Sequence, residues 1–349
     1  MSGGVDSSVA AALLQRAGVQ LFGITMAHLE SGSAGPGADA AAVCAKLGIP
    51  HHTVEMRRLF QDRVIDDFID EYFAGRTPNP CVLCNLTIKW GRLLEAALDL
   101  GADYFVTGHY ARTDRDPESG RRRLLKALHA DKDQSYALWR LSQSQLSRTL
   151  FPLGRLTKEE VRRRAAELGL PASSKGESQD VCFIPGDDYR AWLRRHQRRL
   201  AQPGEIVDHS GRVVGRHKGI PFYTIGQRRG LGVALGRPVY VTSIDPLRNR
   251  IQIGGPEELL ADGLIAGSPN WVSTEAPQPG ESCEVRIRYR DPGYAATFVQ
   301  IEPGRLVLRF DRPRPAVTPG QSAVFYRGEV LLGGGIITTP ADPAEYPVP

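Results

Sequence analysis

Two short strings in this sequence, and a third far from both, combine residue types that do chemistry only when they are held close together. The first is Ser2-Gly-Gly-Val-Asp-Ser-Ser8, followed at once by an Ala- and Leu-rich stretch. Successive small residues let backbone N–H groups approach phosphate oxygens, and a helix starting there adds its positive N-terminal end. No Gly-Lys-Ser/Thr ending follows, so this is not the loop that cradles the β- and γ-phosphates of ordinary ATPases. The second string is Thr77-Pro-Asn-Pro-Cys-Val-Leu-Cys-Asn85, which carries two thiols and runs into Ile88-Lys89. Its prolines predict an extended loop of little freedom, where a thiol is positioned without much entropy loss. A Cys-x-x-Cys also suits redox or zinc chemistry. The third, Glu177-Ser-Gln-Asp-Val-Cys-Phe-Ile184, puts Cys182 before an apolar pair. Taken alone, such a cysteine is more often a small buried hydrophobe than a nucleophile.

Composition narrows what these residues serve. The chain has 349 residues, 41% hydrophobic and 24% charged, enough for two or three soluble domains. No apolar run approaches the ~20 residues that cross a bilayer. No signal peptide opens the chain, so a cytoplasmic location is expected and no membrane partner. Five cysteines are an odd number, and in a cytosolic chain catalysis or metal binding explains them better than a disulfide framework. Cys44 and Cys283 fall in no motif and read as structural. The net charge is +5, and only 7 of 44 basic residues are lysine. Arginine forks suit bidentate phosphate contact, although a codon bias toward Arg explains the excess equally well.

The elements that must position these residues follow from periodicity. Val9–Ala17, Ala38–Leu47, Leu59–Phe73 and 89–100 read as helices, the second ending at Gly48 and the last at Gly101. Gln20–Met26, His52–Val54 and Tyr104–Thr107 read as strands. Strand and helix alternating in this way predict an α/β doubly wound parallel sheet, whose ligands bind outside the strands' carboxyl ends. A glycine loop of the Ser2–Ser8 kind should follow a central strand, and only Met1 precedes it. An in-frame upstream segment of roughly ten residues, one strand's length, is therefore expected. The Arg-rich stretch 189–200 reads as a helix whose arginines face solvent or phosphates. Gln202-Pro203-Gly204 marks a boundary, and short strands with glycine turns run on to about Gly255. Alternation in Cys283–Tyr289 and Leu306–Phe310 predicts a small antiparallel barrel. The Pro-rich residues after Thr339 read as a disordered tail.

Eight strings occur in order along the chain: the glycine loop, TPNPCVLCN, TGHYAR (107–112), KDQSY (132–136), FPLG (151–154), ESQDVCFI, YTIGQRRGLG (223–232) and GQSAVFY (320–326). The first resembles the pyrophosphate loop of the ATP-pyrophosphatase superfamily, and the whole series closely resembles the tRNA-specific 2-thiouridylases over residues 2 to 337. The resemblance implies a catalytic domain of the adenine nucleotide alpha hydrolase type (1–200), a small central domain (201–262), a C-terminal antiparallel β-barrel (263–340) and a tail (341–349). It implies ATP-dependent 2-thiolation of the tRNA wobble uridine. The 2-oxygen is adenylated and persulfide sulfur replaces it, releasing AMP and pyrophosphate. By the matching positions, Cys84 is the nucleophile and Cys182 carries the persulfide. Ser2, Gly3, Gly4, Val5, Asp6, Ser7, Met26 and Gly108 form the ATP pocket, with Asp6 helping to hold Mg²⁺. Asn79, Pro80 and Cys81 meet the target base. His109, Lys132, Asp133, Gln134, Arg288, Tyr289 and Gln321 contact tRNA, and a sulfur-donor protein is the second expected partner.

One position departs from the pattern. Some 2-thiouridylases have Asp where this chain has Cys81. With Cys84 and Cys182 it makes three thiols, which could hold a [4Fe–4S] cluster with one open iron, as in some related tRNA thiolases. The persulfide route is the preferred reading, because Cys84 and Cys182 match without help from Cys81. Two rivals differ in class. An adenylating enzyme acting on a small carboxylate needs neither the cysteine pair nor a barrel of this size. A nonenzymatic RNA-binding protein has no use for an intact Ser2–Ser8 loop.

Overall fold

A computed structural model describes residues 1–29, 37–170, 181–184, 186 and 188–341. The glycine loop leads directly into helix Val5–Arg16, with Gly4 as its extended N-cap. Gly3 has φ +72°, and a Cβ there would lie 2.4 Å from that of Asp39, so only glycine lets the loop pass the next helix. That helix, Ala38–Leu47, stops at Gly48 in the left-handed conformation, as its sequence predicts. Strand Gly23–Ala27 runs parallel to His51–Glu55, and Phe105–Val106 runs parallel to Thr149–Leu150. The expected parallel pairing is therefore present, as two separate two-stranded sheets among the described residues. Met1 sits beside the first pair: its amino group hydrogen-bonds the Ile24 carbonyl, and its own carbonyl accepts from Thr25 Oγ1 at 2.8 Å.

Two long helical runs flank these strands. The run 57–73 contains a π-helical turn at Gln61–Ile65. Residues 80–99 form the other, and here the extended-loop expectation needs correcting. Only Thr77–Asn79 is non-helical; Pro80–Cys84 is a helix with Pro80 in its first turn. Proline's fixed φ suits that position and its missing N–H costs nothing there. Asn85–Leu93 continues as a π-helix, bent where Gly91 leaves helical geometry. Both thiols of the Cys-x-x-Cys thus ride on a rigid helix.

Residues after the boundary at Gly204 form a four-stranded sheet, in the order Val213–His217, Gly204–Val207, Arg250–Gly254, Tyr240–Asp245. Gly204 fits because any Cβ would lie 2.1 Å from the Asn249 carbonyl oxygen. The C-terminal barrel has six antiparallel strands, Leu260–Trp271, Arg305–Pro315, Tyr294–Glu302, Ser282–Arg286, Ser322–Arg327 and Val330–Ala341, closed by pairing of the first with the last. Closure removes exposed edges, and alternate side chains such as Leu264, Phe298, Leu308 and Phe325 fill its interior. The last strand continues through Pro340, which pairs with Leu264, so the expected tail does not begin at Thr339. Residues 342–349 lie outside the described residues.

The N-terminal domain and the barrel share backbone and polar contacts. Hairpin Arg112–Arg115 and Arg122–Leu125 extends the barrel sheet by pairing Leu125 with Val330 and Leu124 with Leu331. Beneath it, Tyr136 Oη donates to the Ser322 carbonyl at 2.8 Å and Trp139 Nε1 to Ser322 Oγ at 2.9 Å. These buried donors are all satisfied, which ties the two domains into one fixed geometry.

Candidate active site

A cavity of about 1850 Å³ opens between the glycine loop, the end of strand Gly23–Ala27, the Pro80–Leu93 helices and the barrel rim. Most of the residues singled out from sequence border it. Ser2, Gly4, Val5, Asp6, Ser7, Met26 and Gly108 line one end, and Asn79, Cys81, His109, Lys132, Asp133, Gln134 and Tyr289 line the other. Gly3, Pro80, Cys84, Cys182, Arg288 and Gln321 are not among the lining residues, although all but Gln321 adjoin one in the chain. The loop is internally braced, since Gly4 N–H donates to Ser2 Oγ at 3.3 Å and Ser7 Oγ donates to the Gly4 carbonyl at 3.2 Å. Gly108 is packed against it: a Cβ would lie 2.8 Å from Asp6 C and Ser7 N. Gly108→Ala should therefore displace the glycine loop and weaken the binding of any nucleoside triphosphate there at least several-fold, which an ATP-binding titration checks.

Asp6 is held by groups that sequence reading missed. Lys158 Nζ lies 2.7 and 2.8 Å from its two carboxylate oxygens, and Tyr110 Oη donates to it at 2.8 Å. Lys158 is buried in the first turn of helix Lys158–Glu167, where the helix dipole disfavours a cation. It is held there by Asp6. Tyr110 lies within the TGHYAR string, whereas nothing local marks Lys158.

Three thiols lie near enough to feel one another's charge. Cys81, Cys84 and Cys182 are all free, Cys84 buried and the other two exposed. Burial pushes the Cys84 thiol up to about 12, with the Cys182 and Cys81 charges raising it further and Lys89 opposing them. Cys81 and Cys182 keep accessible surface, yet desolvation by the protein packed around them raises both thiols as well, again against the field of Lys89. Lys89, at the end of the quoted cysteine string, is thus the cation all three thiols share. Among the described residues no three Cys, His, Asp or Glu side chains converge as a metal site. The cluster expectation on Cys81, Cys84 and Cys182 therefore finds no support, and we do not carry it forward. Of the Cys182 string, Glu177–Asp180 lie outside the described residues.

Several residues expected to touch tRNA are engaged within the chain. The Asp133 carboxylate is 1% exposed and sits 3.0 Å from Arg286 of the barrel. It also accepts from the Ala127 and Ser135 N–H groups at 3.0 and 3.1 Å. The carboxylate holds the loop to the barrel. Gln134 Oε1 accepts from the Tyr110 N–H at 2.9 Å. Gln321 Nε2 donates to the carbonyls of Thr77 and Pro78 at 3.0 and 3.3 Å, and Thr77 N–H donates to Pro319 at 2.8 Å. The barrel thereby fixes the entry to the cysteine helix. Arg288 Nη2 donates to the Ala316 carbonyl at 2.9 Å, while Tyr289 is 42% exposed at the cavity rim. In the Arg-rich helix, Tyr189–His196, Arg190 donates to Phe222 and Arg194 lies over its ring. Arg198 pairs with Asp66, and Arg199 covers Phe73. Arg190 and Arg194 thus pack the helix on the central domain, while Arg194, Arg195, Arg198 and Arg199 keep exposed surface.

The comparisons with known proteins agree along the whole chain. Residues 1–186 match the tRNA methyl transferase HUP domain, 192–255 the tRNA methyl transferase PRC-barrel domain and 261–337 the aminomethyltransferase beta-barrel domain. The tRNA-specific 2-thiouridylase MnmA of Desulforudis audaxviator is 48% identical over 340 residues, 97% of each chain. Its namesake from Moorella thermoacetica is 47% identical over 353 residues, 98% of this chain and 99% of that one. The chain belongs to the tRNA-specific 2-thiouridylase family. The HUP domain holds the glycine loop and the cysteine helix, the PRC-barrel domain is the four-stranded sheet, and the closed six-stranded barrel completes the family's architecture.

One consequence of this 2-thiouridylase's polar interior is acid sensitivity. Burial, with Lys89 second, holds His109 well below the ordinary imidazole range; burial also lowers His28, His51 and His217. These rings are neutral when folded, while the unfolded chain protonates them near 6.5. Below that pH the unfolded state binds more protons, so stability falls as pH falls until the folded-state values are passed. Thermal midpoints should drop between pH 7 and 5, and His109→Gln should flatten that decline.

Proposed function

We propose that this protein is a tRNA-uridine 2-sulfurtransferase, which replaces the 2-oxygen of the tRNA wobble uridine with sulfur in an ATP-dependent reaction. The observation that supports the reading is that Cys84 and Cys182, far apart in the chain, feel each other's charge, while their neighbours Asn85 and Val181 line a cavity that also takes in a phosphate-type glycine loop. ATP fits that end, because backbone N–H groups, the N-terminus of helix Val5–Arg16 and the close-packed Gly108 form a cradle that a side chain would fill. When bound, ATP supplies the adenylyl group that makes the uridine 2-oxygen a leaving group. Magnesium fits as the ion that travels with the triphosphate, since it needs only one or two carboxylates and Asp6 provides one. Lys158 is placed to take phosphate charge whenever Asp6 turns to the ion.

The chain's own residues then carry the sulfur. Cys182 bears a sulfane sulfur as a persulfide, received from a sulfur-donor protein. Its terminal sulfur attacks C2 of the activated uridine and displaces the 2-oxygen. The Cys84 thiolate attacks Cys182 Sγ, the S–S bond breaks, and 2-thiouridine leaves with the sulfane sulfur. A Cys84–Cys182 disulfide remains, which an external dithiol reduces for the next turnover. Lys89 offsets the negative charge that these buried sulfurs acquire. The base must leave its stack to enter the cavity, where Asn79, Pro80 and Cys81 meet it, and His109, Lys132 and Tyr289 face the flanking RNA.

Incubating the protein with tRNA, ATP and a persulfide source, then digesting the tRNA for mass spectrometry, tests the reading. One 2-thiouridine per AMP and pyrophosphate formed is expected; pyrophosphate release driven by a small carboxylate without tRNA would refute it. Because phosphate contacts release counterions, tRNA affinity should fall steeply with salt, by at least tenfold between 50 and about 200 mM.

A further inference from the structure

The thiol of Cys182 faces a histidine that no sequence motif marks. His28 directly follows strand Gly23–Ala27 and borders the cavity. Its Nε2 lies 3.9 Å from Cys182 Sγ, and its Nδ1 lies 3.2 Å from the Met26 carbonyl oxygen. A carbonyl can only accept, so Nδ1 carries the hydrogen of the neutral ring and Nε2 presents a lone pair to the thiol. The ring is held edge-on to Phe60 at 4.8 Å, and Phe60 packs at 5.8 Å on Phe183, the residue after Cys182. The contact that orients the imidazole therefore also anchors the backbone that carries the thiol.

We propose that His28 is the base that removes the Cys182 proton when this cysteine takes sulfur from an incoming persulfide. The inference rests on Cys182 being the sulfur carrier. In the step, the Cys182 S–H proton moves to His28 Nε2 and the thiolate attacks the terminal sulfur of a donor R–S–SH. The donor S–S bond breaks, Cys182–S–SH forms, and R–S⁻ takes the proton from His28 to leave as R–SH. One S–S bond forms as another breaks, so no outside oxidant or reductant is needed. The protonation states suit this direction: burial keeps His28 below its ordinary value and hence neutral, while the surrounding protein partly desolvates the accessible Cys182 and keeps it a thiol that needs a base. Among the described residues, the other titratable groups that act on the pair are Lys89 from helix Asn85–Leu93 and Cys81 and Cys84 from helix Pro80–Cys84; Arg57 reaches the residue after His28. Arg57 pairs with Glu55 and donates to the Leu29 carbonyl at 3.4 Å.

The test is the rate at which iodoacetamide alkylates Cys182 in the full-length protein, followed by peptide mass spectrometry from pH 6 to 10.5. In His28→Asn the rate at pH 7 should fall about tenfold, equivalent to one unit of thiol acidity, and rejoin wild type at the high-pH plateau where thiols ionise unaided. Cys84 and Cys81 should alkylate as before. His28→Gln is the second variant, and near-UV circular dichroism confirms that each is folded. An unchanged profile, or a deficit that persists at every pH, would overturn the proposal, the latter by showing a packing role alone. Thiouridine assays of Cys182→Ser run alongside: if that variant stays active, the sulfur-carrier reading fails, whatever the alkylation profile shows.

Discussion

Cys84→Ser and Cys182→Ser should each remove 2-thiouridine formation to below about a hundredth of wild type, with tRNA and ATP affinities nearly unchanged. A serine hydroxyl ionises far above neutral pH and cannot carry a sulfane sulfur, so no residual chemistry is expected from Cys182→Ser. The two variants should fail at different stages. Cys182→Ser should accept no sulfur from the donor. Cys84→Ser should accept sulfur and then stall with tRNA linked through Cys182, an adduct visible by mass spectrometry and released by dithiothreitol. Each substitution exchanges sulfur for oxygen at almost constant volume, and all five cysteines are free, so no disulfide is lost. Activity above a few per cent in either variant would remove that cysteine from the mechanism.

Asp133→Ala should lower stability by about 3–5 kcal/mol, the usual cost of leaving one partner of a buried ion pair unmatched. Here the stranded partner is Arg286, 13% exposed, which also lies over the Tyr326 ring at 4.8 Å. The N–H groups of Ala127 and Ser135 lose their acceptor at the same time. In a chain of this size the loss should appear as a fall of about 5–15 °C in thermal midpoint. Replacing both partners, as Asp133→Leu with Arg286→Met, should recover part of it, because neither charge is then left buried alone. If Asp133 served only by touching RNA, Asp133→Ala would leave the midpoint unchanged and weaken tRNA binding alone.

What the sequence determined by itself were the features that depend on neighbours in the chain. The glycine loop followed by helix Val5–Arg16, the Gly48 helix stop, the parallel strand and helix alternation, and the barrel's alternating strands all follow from local periodicity and glycine chemistry. The ordered motif series identified the family. Even locally there was one ambiguity: proline reads as extended chain or as a helix's first residue, and only the helix continuing beyond Pro80 shows which applies.

Only the tertiary structure decided the partners. Lys158 meets Asp6, Gln321 holds Thr77, Arg286 neutralises Asp133 and His28 faces Cys182, each across more than 150 residues. Such pairs leave no trace in the spacing of residues, because a side chain's partner is set by how separate elements dock. The same holds for Asp133 and Gln321, polar side chains that a sequence offers equally to solvent, to RNA or to another domain. Burial resolves the choice: a charge or amide removed from water must find its partner within the protein, and the docking of the barrel on the HUP domain supplies it.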